Sequence, residues 1–242
     1  MTALLEVSEL RKQYGAVVVA DNLSFDLDFR ACLGLIGPNG AGKSSLFNLL
    51  TGIIRPDSGE IRFDGREIGG VAPHLRARIG IVRAFQIPRP FTQLSVYENV
   101  LVAALYGASL SSKGARRHAF EVLSKTGLLR FADQPAGHLR LLDRKRLELA
   151  KAVASNAKLL LLDEIASGLT EHEVAELVEL ISSLKADHAI IWIEHIPHAL
   201  RAVADRMMVL HFGRKLLDGP PSVVLTSPLV REIYMGLPAD AA

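Results

Sequence analysis

One cysteine in 242 residues leaves no partner for an internal disulfide. That residue, Cys32, falls in the apolar run ACLGLIG, where a small packing side chain is expected rather than a reactive thiol. The formal charge is only +2, too little to point to nucleic acid, and the locally basic stretches LRARIGIVR, GARRHAF and DRKR read as solvated helix faces. Long hydrophobic runs are missing as well. AVVVA, LLLL and AIIWI are strand-sized and fall well short of the roughly 20 residues a membrane helix needs. The first residues, MTALLEVSELRKQ, have no signal-peptide layout, so a cytosolic location is expected. No internal repeat is visible, and loose composition is confined to LPADAA, which is expected to fray.

What remains is a chain that is 49% apolar and 22% charged, the composition of one compact domain with room for a small subdomain. ALLEVSEL and NLSFDLDF alternate like half-buried strands. CLGLIG, IGIVRAF, LLLLD, AIIWIE and RMMVLHF read as strands covered on both faces. In TEHEVAELVELISSLKA, Thr170 and Glu173 form a capping-box pattern, and Val174, Leu177, Val178, Ile181 and Leu184 line one helical face. Strand and helix patterns alternate, which predicts an α/β core with a largely parallel sheet. From about Gln86 to Leu142 the pattern turns helical, with VYENVLVAALYG and KGARRHAFEVLSKTG as helices of an inserted subdomain.

The strongest chemical signal is GPNGAGKS, set between a strand pattern and the helical SLFNLLTG. Glycines in such a loop let backbone N–H groups close around an anion, and the following helix adds its positive end. Gly37, Pro38, Asn39, Gly40, Ala41, Gly42 and Ser45 are expected to shape the nucleotide site, with Lys43 reaching the β- and γ-phosphates and Ser44 holding Mg²⁺. A second signal closes the run LLLLDE. There Asp163 suits Mg²⁺ coordination, and Glu164 is placed to polarise an attacking water as general base.

With these two sites in place, residues from about 4 to 236 resemble the ATPase subunits of ABC transporters. The resemblance implies a single domain over 1–242: a P-loop NTPase core at about 1–86 and 156–225, a mainly parallel sheet with an antiparallel β subdomain, an inserted α-helical subdomain at about 87–155, and a C-terminal helix and tail at about 226–242. It also implies that Tyr14 stacks on adenine, that Gln86 meets Mg²⁺ and the attacking water, and that His195 touches the γ-phosphate. VRAFQIPRPFTQLSVYENVLVAAL, WIEHIPHALRAVADRMMVL and REIYMG look like the subunits of importers for branched-chain or hydrophobic amino acids. Such subunits work as a pair on two integral-membrane permease chains, served indirectly by a solute-binding protein, at the cytoplasmic face of the membrane and without nucleic acid. Pro88, Phe91 and the helix through Tyr97 are then the expected docking place for the permease.

The family's Leu-Ser-Gly-Gly-Gln loop, which clamps the nucleotide of the second subunit, aligns here with Leu139, Arg140, Leu141, Leu142 and Asp143. Arg140 and Leu142 are carried over as contacts to that nucleotide. Asp143 is expected to cap the helix beginning RKRLELAKAVA, and the Arg140 guanidinium to stand in for the missing serine. Ile165 replaces the proline usual after the catalytic glutamate, and Thr170 the usual Asp or Asn at the dimer interface. Two alternatives stay open at this point: a catalytically weak partner ATPase in a heterodimeric importer, and a non-transport ABC ATPase that regulates a soluble partner.

Overall fold

The computed structural model of the protein describes residues 3–235. Alternating apolar residues build the first hairpin, β1 (Leu5–Tyr14) against β2 (Val17–Leu27), in antiparallel register from Leu5↔Leu27 to Tyr14↔Val17. A register shift after Val7, where Glu9 has φ 48°, lets Leu10 turn inward although its spacing from Val7 is odd. β4 (Ser58–Phe63) and β5 (Arg66–Glu67) join this hairpin in a four-stranded sheet of order β2-β1-β4-β5.

The second sheet holds β3 (Cys32–Ile36), β6 (Ile81–Ala84), β7 (Leu159–Asp163), β8 (Ala189–Ile193), β9 (Arg206–His211) and β10 (Arg214–Gly219) in the order β10-β9-β3-β8-β7-β6. Every pair in it is parallel except the β9–β10 hairpin. α1 (Lys43–Thr51) follows β3, α2 (Pro73–Arg78) precedes β6, and α3 (Val96–Tyr106), α4 (Ser112–Lys125) and α5 (Leu141–Ala154) pack on one another between β6 and β7. α6 (Glu171–Lys185) and α7 (Pro197–Val203) flank β8, and α8 (Pro221–Thr226) and α9 (Pro228–Met235) follow β10.

Both faces of the parallel sheet are covered, so its strands have apolar side chains on both sides. Leu160 and Leu162 of β7 enter a core shared with α5 and α6, while Leu159 and Leu161 enter the core beneath α1 and the β1–β2 hairpin. Each such leucine contributes about 1.5–3 kcal/mol by leaving water. These features give the expected P-loop NTPase arrangement: a mainly parallel sheet, an antiparallel β layer and an inserted helical block. Helix starts follow local chemistry. Ser95 with Glu98, and Thr170 with Glu173, each complete a capping box.

The start of α5 departs from expectation. Arg140, not Asp143, is its N-cap, and Leu141 and Leu142 occupy the first helical turn. Asp143 lies inside that turn, buried and paired with Arg146 at 3.4 Å, so its carboxylate answers a neighbouring guanidinium instead of the helix end. The segment LPADAA lies outside the described residues.

Candidate functional site

In the order β3-β8-β7-β6, four adjacent parallel strands release their chains at the same sheet edge. Topology alone thus gathers the loop after β3, Asp163 and Glu164 after β7, His195 after β8 and Gln86 after β6, at the carboxyl edge where open α/β sheets take ligands. The loop Gly37–Gly42 is pinned from beneath by Gly213, whose N–H donates to the Ala41 carbonyl at 2.9 Å. Gly42 has φ 102°, and a β-carbon there would stand 2.5 Å from the Val19 carbonyl oxygen, so only glycine fits. At the tip, Asn39 and Gly40 are exposed, and Gly40 faces open space.

α1 begins directly after this loop with no acidic residue in its first turn, leaving its positive end uncompensated. Lys43 is buried, and its Nζ donates to the carbonyls of Gly37 at 2.5 Å and Pro38 at 3.0 Å. Burial pushes its ammonium below the ordinary lysine value, and the negative charges of Glu164 and Asp163 oppose that shift. Ser44 is exposed on the opening turn of the helix, with Ser45 half-buried beside it.

Glu164 joins the predicted catalytic residues. One carboxylate oxygen accepts from Gln86 Nε2 at 2.7 Å, and the other lies 2.7 Å from His195 Nε2, whose ring proton sits between them when Glu164 is ionised. The Glu164 backbone lies at φ 46°, an uncommon conformation for a residue with a side chain. It turns the carboxylate off the end of β7 toward the neighbours delivered by β6 and β8, while the Glu164 N–H stays bonded to Ile193 O at 2.9 Å. Each oxygen keeps lone pairs free for a water.

Three further residues complete the frame, and two of them, Arg83 and Lys145, belong to LRARIGIVR and DRKR, which were expected to be solvated helix faces but carry these charges inward, Arg83 on β6 and Lys145 on α5. Arg83, the lone charge in IGIVRAF, pairs with Asp163 and with Asn48 Oδ1 at 2.8 Å, its guanidinium 5.5 and 5.0 Å from the ring centres of Phe47 and Phe85. Glu194 is 2% exposed and accepts from the N–H groups of Ala166 at 2.8 Å and His195 at 3.0 Å, tying the turn after Glu164 to the turn before His195. Burial raises its carboxyl above the usual range, and the two backbone donors hold that rise in check. Lys145 is equally buried and donates to the backbone carbonyl of Gln86. Of the three, only Arg83 left a signal in the sequence, as a charge inside the apolar strand pattern IGIVRAF.

The oxygen donors Ser44, Asp163 and Gln86 suit a hard cation such as Mg²⁺ held mainly by phosphate and water. Tyr14, at the end of β1, is 51% exposed, with the Lys12 ammonium 5.1 Å from its ring centre. Arg140 and Leu142 stand apart, on the helical block. Arg140 is exposed at the start of α5, and Leu142 turns its side chain into the hydrophobic core, so that only its backbone can face a ligand.

The family profile described as ABC transporter matches residues 20–167. The chain is 36% identical to the high-affinity branched-chain amino acid transport ATP-binding protein LivG of Salmonella typhimurium, over 96% of this chain and 98% of the relative. It is 34% identical, over the same shares, to the corresponding protein BraF of Pseudomonas aeruginosa. A solved ATP-binding cassette of an ABC transporter in its ADP conformation superposes with a TM-score of 0.88 at 27% identity, covering 98% of this chain and 100% of that one. Matched in sequence over most of its length and in fold over nearly all of it, the chain belongs to the ABC transporter family as an ATP-binding subunit and ATPase.

Proposed function

We propose that the chain hydrolyses Mg-ATP to power an importer of branched-chain or related hydrophobic amino acids. The observation that carries the catalytic part is Glu164 held between Gln86 and His195, beside the buried Lys43. In this reading Glu164 orients and deprotonates the attacking water. Gln86 and His195 fix its carboxylate, Lys43 balances charge on the phosphates, and Tyr14 stacks on the base. Bound Mg²⁺, met by Ser44, Asp163 and Gln86, supplies neutralising charge among the phosphate oxygens.

Two copies, or this chain and a related one, sandwich nucleotide so that Arg140 at the start of α5 meets the phosphates held by the other subunit. The permease docks over Ile87 and Phe91, which are 69% and 56% exposed. Buried Asn99 of α3 bonds both the N–H of Phe91, at 2.8 Å, and its carbonyl, at 3.0 Å, and so presents that ring outward. No helix among the described residues is long and apolar enough to cross a membrane, and attachment to the cytoplasmic face comes through the permease, with a solute-binding protein on the far side. The resemblance to LivG and BraF supports the solute class. The test is light scattering on purified Glu164→Gln with and without Mg-ATP: a monomer-to-dimer shift that requires ATP is expected. A persistent monomer that still binds ATP would overturn the idea that two copies suffice.

A further inference from the structure

The segment Gln86–Arg89 has no secondary structure of its own, and proline stands at 88 and 90. Its backbone groups therefore need partners from elsewhere, and α5 supplies them. Lys145 donates to the Gln86 carbonyl, Glu148 accepts from the Arg89 N–H at 2.9 Å, and Lys151 donates to the Arg89 carbonyl at 3.1 Å and to Glu148 at 2.8 Å. Spaced three apart, these side chains project from neighbouring positions along one side of the helix. Lys145 and Glu148 are 2% and 5% exposed, a costly place for charge unless it is paired. The carboxylates of Glu194, Glu148 and Glu164 surround the Lys145 ammonium and oppose the burial that would discharge it.

The rest of α5 is braced as well. Arg144 binds the carbonyls of Leu139 and Gly137, both at 2.8 Å, just ahead of the helix, and Arg146 reaches Glu176 of α6 at 2.5 Å. The helix that opens with Arg140 thus carries the Gln86 backbone as part of one body.

We propose that Lys145 is a positioning residue that fixes the Gln86 backbone to α5 and thereby sets where the Gln86 amide meets Glu164. This rests on the reading of Gln86 as part of the reacting site. The test is a double-mutant cycle on the full chain, measuring kcat and KM for ATP in Lys145→Met, Gln86→Ala and the double variant, with Lys145→Arg as the conservative replacement. Lys145→Met is expected to lower kcat about tenfold with KM within about twofold of wild type. Lys145→Arg should restore most of the rate. In the Gln86→Ala background the same Lys145→Met change should cost less than about twofold, since it acts through a side chain already gone.

A wild-type kcat in Lys145→Met, or a tenfold loss that persists without the Gln86 side chain, overturns the proposal. Gln86→Ala hydrolysing at the wild-type rate would instead remove the site reading and this inference with it. If Lys145→Met does not fold, Lys151→Met takes its place in the cycle at the more exposed edge of the same grip, with about a threefold loss expected and the same criteria.

Discussion

In the proposed function the sheet edge around Lys43 and the start of α5 serve the same chemistry in different ways. At the sheet edge the roles proposed above fall on particular side-chain atoms: the Lys43 ammonium, the Glu164 carboxylate and the Gln86 and His195 nitrogens that hold it. At α5 the side chains of LRLLD match almost nothing of the family loop, yet a helix still starts at Leu141. No residue from Leu139 to Asp143 has positive φ, so the leucines sit in that turn without backbone strain. A helix start offers the N–H groups of its first turn whatever its side chains are. Function built on side-chain atoms constrains sequence tightly, whereas function built on backbone donors leaves the sequence freer to change.

The largest effects should come from the sheet edge. Lys43→Ala and Glu164→Gln are each expected to reduce ATP hydrolysis by at least about 100-fold. They should separate in binding: Lys43→Ala weakens ATP, while Glu164→Gln keeps it. Near-normal turnover in either variant would break the contrast at its stronger end. Gly42→Ala comes next. A β-carbon at φ 102° and 2.5 Å from Val19 O must distort the loop, at a cost of about 2 kcal/mol in stability together with a loss of nucleotide binding. An unfolding curve and ATP affinity matching wild type would show that the loop is looser than its packing implies.

Arg140→Ala probes the other region. It should lower kcat about tenfold without changing ATP affinity in the same chain, as expected for a guanidinium that acts on nucleotide held by another subunit. If turnover is unchanged in the assembled complex, the backbone donors of α5 suffice alone and the contrast between the regions becomes sharper still.

How much could be read from the sequence follows the same division. The phosphate loop, the acidic end of β7 and the capping box at Thr170 were legible because each has a fixed spacing tied to a local geometry. The left-handed turn at Glu164 was not, since nothing in DEIAS marks a positive φ. It became visible only once β6 and β8 were seen to deliver Gln86 and His195 on either side. The start of α5 lies three residues earlier than Asp143 suggests, because that carboxylate is taken by a local i,i+3 pair with Arg146 inside the helix. The burial of Arg83, Lys145 and Glu194 was hidden for a different reason: their partners are 80, 59 and 28 residues away along the chain, so LRARIGIVR and DRKR look like solvated faces in the sequence alone.

The smallest predicted effect lies where the two regions approach one another. Thr170 caps α6: its Oγ1 accepts from the Glu173 N–H at 3.4 Å, while Glu173 Oε2 accepts from the Thr170 N–H at 2.9 Å. The Thr170 N–H, and its hydroxyl, which donates to the same Glu173 oxygen at 2.9 Å, hold the Glu173 carboxyl below the usual range, with smaller contributions from His172 and Arg140. Removing the hydroxyl in Thr170→Ala is expected to cost about 1 kcal/mol. In a domain of this size that lowers Tm by about 2–4 °C, with hydrolysis changed less than about twofold. Thr170→Asp keeps a capping oxygen and should hold Tm near wild type. It also places a carboxylate close to the Glu173 carboxylate, so any loss it shows beyond Thr170→Ala would measure repulsion between them. If Thr170→Ala unfolds at the wild-type temperature, the hydroxyl contributes no stability and the start of α6 is held by packing of Val174 and Leu177 alone.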